Sequence, residues 1–235
     1  MSGDAASQVA RSGHALVEAV ADVATIASLK TALAGADMAR AERQGETYGA
    51  RNLLAIAAVR DAAALPRLNR VLRGALGEDY LCVRGLFFDK TSKANWPVPW
   101  HQDLTIAVRE RSDLAGWKNW TCKHGVHHVQ APPEILSRMI TARLHLDDCP
   151  ADNGPLRVIA GTHGQGILSR GEIRARVENE DETAICAKTG DVLLMKPLLL
   201  HASSPARAPA HRRVLHLEFA PAGLLPDGLT WAQCA

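Results

Sequence analysis

The sequence predicts a mainly β protein with N-terminal helices, its strands forming a sandwich or barrel. Three observations lead there. Up to about residue 76 the chain is rich in alanine, leucine and arginine, with apolar residues at helical spacing. After Gly77 it changes to short apolar or alternating runs broken by turn residues, with no βαβ alternation. At 235 residues, 47% of them hydrophobic, it suits one domain with a substantial core, and no linker, repeat or low-complexity stretch divides it. The expectation is one domain over 1–235, with a helical layer over about 1–76 and a β core over about 77–235.

Taken in order, Leu16, Val20, Val23 and Ala24 make one helical set, and Leu65, Leu68, Val71 and Leu72 another. Pro66 falls in the first turn of the second helix, where its missing N–H costs little. Gln44 to Asn52 reads as a loop, and Asn52 to Val59 as a strand or a buried helical turn. Strands are expected over Tyr80–Phe88, Leu104–Val108, Ile140–Leu146, Leu156–Ile159, Ala184–Ala187, Asp191–Met195 and Arg213–Phe219. Asn153-Gly154-Pro155 and Thr189-Gly190-Asp191 punctuate as turns. Gly125 to Pro133 reads as a polar, histidine-bearing loop leading into the β core.

A net charge of +2 gives no argument for nucleic acid or an acidic membrane as partner, and no apolar run is long enough to cross a bilayer. Five cysteines, odd in number and without a CxxC pair, suggest reduced thiols rather than a disulfide framework or zinc ribbon. With no signal-like N-terminus, a soluble cytoplasmic protein is expected, acting on a small molecule.

Chemistry concentrates in Asn95-Trp96-Pro97-Val98-Pro99-Trp100-His101-Gln102-Asp103. On a strand, residues two apart share a face, so His101 and Asp103 can offer an imidazole and a carboxylate to one metal while Gln102 points away. A second imidazole from another strand, such as His201, would complete two histidines and one carboxylate on one side of an iron, the facial triad of non-haem Fe(II) oxygenases. Spacing alone does not choose this pair, because His145-Leu146-Asp147 is a second HxD, on a strand where Arg143, His145 and Asp147 share a face.

The order of words does choose. Phe88-Asp89-Lys90-Thr91, the tryptophan-flanked HxD, Asp152-Asn153-Gly154-Pro155-Leu156-Arg157-Val158-Ile159-Ala160-Gly161-Thr162-His163, His201-Ala202-Ser203-Ser204-Pro205 and Arg212-Arg213-Val214-Leu215-His216 follow in sequence. Over roughly Tyr80 to Ala220 this resembles the phytanoyl-CoA dioxygenase (PhyH-like) family of Fe(II)/2-oxoglutarate-dependent oxygenases. The resemblance implies a jelly-roll core, with Fe(II), 2-oxoglutarate and O2 as reactants. It implies iron held by His101, Asp103 and His201, with the second HxD lining the pocket. It also implies that an arginine soon after the distal histidine clamps the far carboxylate of 2-oxoglutarate by two parallel hydrogen bonds. Arg212 fits that place. Arg213 would point the other way on a strand, so one residue of register decides between them.

Arg143 on its strand and the hydroxyl of Ser203 or Ser204 are further cosubstrate candidates, and Lys90, Trp96, His128 and Gln130 are substrate candidates. His163, His211 and His216 carry no spacing that argues for metal. The implied reaction is hydroxylation of an unactivated C–H bond with release of succinate and CO2. The presence of Asp103 argues against halogenation, since related halogenases lack the carboxylate. A binding module on the same barrel, and a cupin-type enzyme using Ni, Mn or Zn, are the alternative readings.

Overall fold

The computed structural model describes residues 2–35, 39–43, 46–77, 79–207 and 211–235. In chain order the elements begin α1 (Ser2–Ser12), β1 (His14–Val17), α2 (Val23–Gly35), β2 (Ala39–Arg43), β3 (Glu46–Arg51), α3 (Ala57–Ala63) and α4 (Pro66–Leu76). Then follow β4 (Tyr80–Lys90), β5 (Val98–His101), β6 (Thr105–Val108), β7 (Lys118–Lys123), β8 (Val126–Gln130) and α5 (Pro133–Leu136). The last are β9 (Ile140–His145), β10 (Leu156–Ile159), α6 (Arg170–Asn179), β11 (Thr183–Ile185), β12 (Val192–Met195), β13 (Leu200–Ser203) and β14 (Arg212–Pro221).

Among the described residues the strands form three sheets, ordered β1-β12-β9-β14-β4-β3-β2, β11-β10-β13-β5 and β6-β8-β7. The first two face each other. Leu156, Val158 and Ile185 of the smaller sheet pack against Leu193 and Met195 of the larger. This is a double-stranded β-helix of the jelly-roll, cupin-like kind, as the family resemblance implies, and it agrees with the sandwich or barrel read from the strand-rich second part of the sequence.

Period-2 alternation divides the large sheet. Phe87 of β4, Ala142 and Leu144 of β9, and Leu215 and Leu217 of β14 join the helices in the main core through Ile26, Leu29, Val59, Leu68 and Leu72. The intervening residues Leu86, Phe88, Arg143, Arg212, His216 and Glu218 turn inward onto a cavity. The helices thus bury the apolar outer face and leave the inner face free to be polar.

Several local expectations change. Leu16 is not helical. α1 ends at Gly13 (φ 83°), and β1 then pairs antiparallel with β12, Leu16 opposite Leu193, closing a sheet edge. Only Val23 and Ala24 of that expected helical set lie in a helix, α2. Of the expected loop Gln44 to Asn52, residues 44 and 45 lie outside the described residues, and Glu46–Arg51 is β3, paired with β2 and, through Gly49 and Phe88, with β4. Leu53 and Leu54 form a buried helical turn leading into α3, the second of the two readings given to Asn52–Val59. The segment read as a histidine-bearing loop is mostly strand β8, held between β6 and β7 with Val129 buried. Helix α6 buries none of its residues, so apolar periodicity could not announce it, but it starts with a capping box between Ser169 and Glu172. None of the five cysteines is disulfide-bonded.

Candidate metal centre

His101 ends β5 and His201 lies on β13, directly opposite it in the antiparallel register. The ring centroids are 4.2 Å apart. Asp103 follows two residues beyond the end of β5, its backbone N–H donating to Pro197 O at 2.9 Å. Its carboxylate stands between the rings: Oδ1 is 3.6 Å from His101 Nε2 and Oδ2 is 3.6 Å from His201 Nε2. One ligand atom from each residue lies within 4.8 Å of the others, the only such His/Cys/Asp/Glu group among the described residues.

Tautomers are set by the backbone. Each Nδ1 lies 2.8 Å from a carbonyl two residues earlier, Pro99 O for His101 and Leu199 O for His201. A carbonyl only accepts, so both Nδ1 atoms carry a proton and both Nε2 atoms are left facing the shared space. Burial holds His201 down to about 4 despite the nearby Asp103 carboxylate, which keeps the ring neutral. Burial alone would raise Asp103, but His201 and His101 around it hold it well below the usual carboxylate range. His101 works against burial too, raised by its hydrogen bond and charge attraction to Asp103. The side chains of His101 and Asp103 are 37% and 34% exposed against 4% for His201, so the cluster opens on one side only. Two imidazoles and an ionised carboxylate on one side of a gap are a donor set suited to Fe(II), which would take the place of any proton shared between His101 and Asp103.

Gln102 faces away, as alternation predicts, and its amide is fully used. Nε2 donates to Gly166 O at 2.8 Å and Leu198 O at 2.7 Å, while Oε1 accepts from Leu168 N at 2.8 Å. It ties the HxD segment to the loop that delivers His201.

Behind the triad lies a cavity of about 350 Å³ with a cationic back wall. Arg212 of β14 sits directly across from Lys90 of β4, and Arg143 of β9 across from His216. Lys90 is 1% exposed and donates to Ser203 Oγ and Ser204 O, both at 2.9 Å, with its ammonium 5.5 Å from the Trp96 ring centre. Burial, reinforced by Arg212 and Arg143, pushes Lys90 down to about 7. Arg212 donates to Gly154 O, so the Asn-Gly-Pro turn aims this side chain as well as setting strand register. Gly154 is required there: φ is 60° and a Cβ would meet Ser204 O at 2.6 Å. The buried Nε atoms of Arg212 and Arg143 have no partner, which leaves donors for a ligand.

Arg213 goes elsewhere. It makes a two-pronged pair with Asp147 at 2.7 and 2.8 Å, and Asp147 also meets Lys30 of α2 at 2.8 Å. The second HxD is therefore split, against the expectation that its two polar residues share a face. β9 ends at His145, so Asp147 turns toward α2 while His145 stays buried, its Nδ1 unpartnered.

Of the sequence candidates, His101, Asp103, His201, Arg143, Arg212, Ser203 and Trp96 all line this cavity, with Lys90 at its back. His128 and Gln130 do not. His128 donates to Val126 O at 3.1 Å and Gln130 accepts from Asn119 at 2.7 Å. His216, which carries no spacing that argues for metal, is in the wall, and so is Glu218. Their signal was alternation: once Arg212 enters the barrel, residues 216 and 218 follow it.

The sequence profile of the phytanoyl-CoA dioxygenase (PhyH) family matches residues 9–214. The chain belongs to that family. No curated protein matches it. Among solved structures, this PhyH-family chain is similar to EctD from S. alaskensis with 2-oxoglutarate and 5-hydroxyectoine (TM-score 0.70, 20% identity, 92% of this chain and 74% of that one). It is similar also to the epimerase SnoN in complex with Fe3+, alpha ketoglutarate and nogalamycin RO (0.67, 16%, 94% and 84%). A third is the alpha ketoglutarate-dependent carbocyclase SnoK from nogalamycin biosynthesis (0.69, 13%, 93% and 83%). At these identities the likeness is one of fold.

Proposed function

We propose that this protein is an Fe(II)- and 2-oxoglutarate-dependent oxygenase that hydroxylates an unactivated C–H bond of a small metabolite. The overall change is substrate C–H plus 2-oxoglutarate plus O2 to alcohol, succinate and CO2. The observation that carries the reading is the convergence of two imidazoles and a carboxylate at a cavity with a cationic back wall.

His101, Asp103 and His201 would hold the metal. When bound, iron chelated by the keto-acid end of 2-oxoglutarate supplies O2 activation and oxidative decarboxylation. The rest is done by the chain. Arg212 clamps the far carboxylate of 2-oxoglutarate, and we place Lys90 with Ser203 on that same carboxylate rather than on the substrate. Lys90 is too deeply buried, and too close to Arg212, to serve a separate ligand. Arg143 is held by His216 at 3.0 Å, facing the cosubstrate. Leu86, Phe88, Trp96 and Val98 form the apolar wall that keeps water from the reacting C–H. The Nδ1 bonds to Pro99 and Leu199 keep both imidazole planes aimed before metal arrives.

Anaerobic titration of the Fe(II) protein with 2-oxoglutarate tests this through the weak visible charge-transfer band of the chelate. The band should form in wild type and vanish in His201→Ala. A folded, iron-loaded wild type without a band would sink the proposal. Iron- and O2-dependent succinate release, stimulated by a substrate panel, then separates an oxygenase from a binding module.

A further inference from the structure

The charges lining the cavity do not balance once the cosubstrate is placed. On that reading Arg212, Lys90 and Arg143 serve the cosubstrate, with Arg143 also attracted by Asp103. Arg84 donates to Glu218 at 3.0 Å and to Thr105 O at 3.1 Å. That accounts for both cavity carboxylates, Asp103 and Glu218. Arg51 at the end of β3 and Lys123 at the end of β7 remain, and neither guanidinium nor ammonium has a hydrogen-bond or ion-pair partner among the described residues.

Three strands from two sheets converge to build this spot: β3 and β4 of the large sheet and β7 of the third. His128 on β8 records how close the cations stand. Burial, then Arg84, Arg51 and Lys123, push its ring down to about 4. Arg51 is lowered in turn by burial and by Arg84, against a smaller opposing pull from Tyr48 and from Glu218, the carboxylate already paired with Arg84. A cluster of like charges in a partly enclosed site is costly unless an anion joins it.

We propose that Arg51 and Lys123, with Arg84 beside them, form an oxyanion subsite at the cavity mouth. The substrate is then a small carboxylate- or phosphate-bearing molecule, anchored there and presenting its C–H to the triad. This rests on the oxygenase reading of the site. Size agrees: about 350 Å³ must hold cosubstrate and substrate together, at the low end of the ~300–1,000 Å³ of small-molecule pockets. Leu86, Phe88 and Val98, which line the same cavity, suit a short apolar segment between the anion and the reacting carbon. Arg84, fixed against Glu218, orients the subsite, while Arg51 and Lys123 have donors to spare.

The test is calorimetric titration of the anaerobic Fe(II) protein, saturated with 2-oxoglutarate, using propionate, methyl phosphate and uncharged propionamide as probes. The anions should bind with cosubstrate still in place, and propionamide should not. Arg51→Gln and Lys123→Gln should each weaken anion binding about tenfold while 2-oxoglutarate affinity stays within about twofold. The tighter of the two anions identifies carboxylate or phosphate as the anchor. Anions that only displace 2-oxoglutarate, or that bind Arg51→Gln like wild type, would overturn the proposal, as would equal binding of propionamide. Failure of 2-oxoglutarate to bind at all is a separate result against the oxygenase reading. The iron-free protein then still reports on the subsite, where anion binding should fall in Arg51→Gln and persist in Arg212→Gln.

Discussion

Arg212→Gln is the sharpest probe of the cosubstrate pocket, because its neighbour supplies the control. Arg212 is 4% exposed, already aimed by Gly154 O, and keeps an unpartnered Nε. On the proposed role, replacing it would remove two charge-assisted hydrogen bonds to the 2-oxoglutarate carboxylate, while Lys90 and Ser203 remain. Truncating one side of such a buried pair costs about 2–4 kcal/mol, or roughly thirty- to several-hundredfold in 2-oxoglutarate Kd at 1.4 kcal/mol per tenfold. Anaerobic titration of the iron–oxoglutarate band gives that Kd directly. Without ligand, the variant should unfold within about 1 kcal/mol of wild type. The lost bond to Gly154 is offset by relief of repulsion from Lys90 and Arg143. Arg213→Gln should do the opposite. Its half-buried pair with Asp147 contributes about 1 kcal/mol to stability, and its loss should leave the Kd within about twofold. A wild-type Kd in Arg212→Gln, or a larger shift in Arg213→Gln, would refute the assignment.

Other expectations follow from the same geometry. Because burial holds Lys90 near 7 and a bound carboxylate favours its charged form, 2-oxoglutarate affinity should be flat below pH 7. Above it, affinity should weaken by up to about tenfold per unit; Lys90→Gln should bind more weakly and lose that dependence in the same titration. Burial, with Arg143 and Arg212, pushes His145 down to about 3 from 6.5. The unfolded chain therefore binds more protons in acid, and stability is lost as pH falls from 6.5 toward 3, by up to ~1.4 kcal/mol per unit. Urea denaturation of the iron-free protein at pH 6.5 and 5 should show a slope that is shallower by that amount in His145→Gln; equal slopes would count against it. Gln102→Leu strands two carbonyls and one N–H in the loops behind the metal site. It should cost about 2–4 kcal/mol in urea and weaken iron binding, although Gln102 faces away from the metal.

The legible parts of the fold are those where side-chain period alone fixes the element. The alternating runs after Gly77 gave strands close to β4, β6, β9, β10, β12 and β14. The Leu65–Leu72 pattern gave α4, with Pro66 in its first turn. Elements held by pairing were harder to read. Leu16 sits in a strand because β12 offers an edge, and β8 is a strand because β6 and β7 flank it. β12 lies far from β1 in sequence, so local period carries no trace of that pairing, whereas β7 and β8 form a hairpin whose one local signal is the His124-Gly125 turn, both residues at positive φ. Helix α6, without a buried face, was marked only by its Ser169–Glu172 cap.

By itself the sequence determined the residue types and their order: an HxD flanked by tryptophans, a distal histidine, and an arginine pair beyond it. Those words in that order carry the resemblance to the family and, with it, the jelly roll; spacing along a strand adds which side chains share a face. Only the tertiary structure decided which charges meet. Arg213 differs from Arg212 by one position, yet Asp147 and α2 claim it while Arg212 faces Lys90 across a strand pair. Likewise Arg51, Arg84 and Lys123 lie far apart in the chain and come together only where three strands converge. Charge complementarity acts through space over a few ångströms, a distance that position in sequence does not encode.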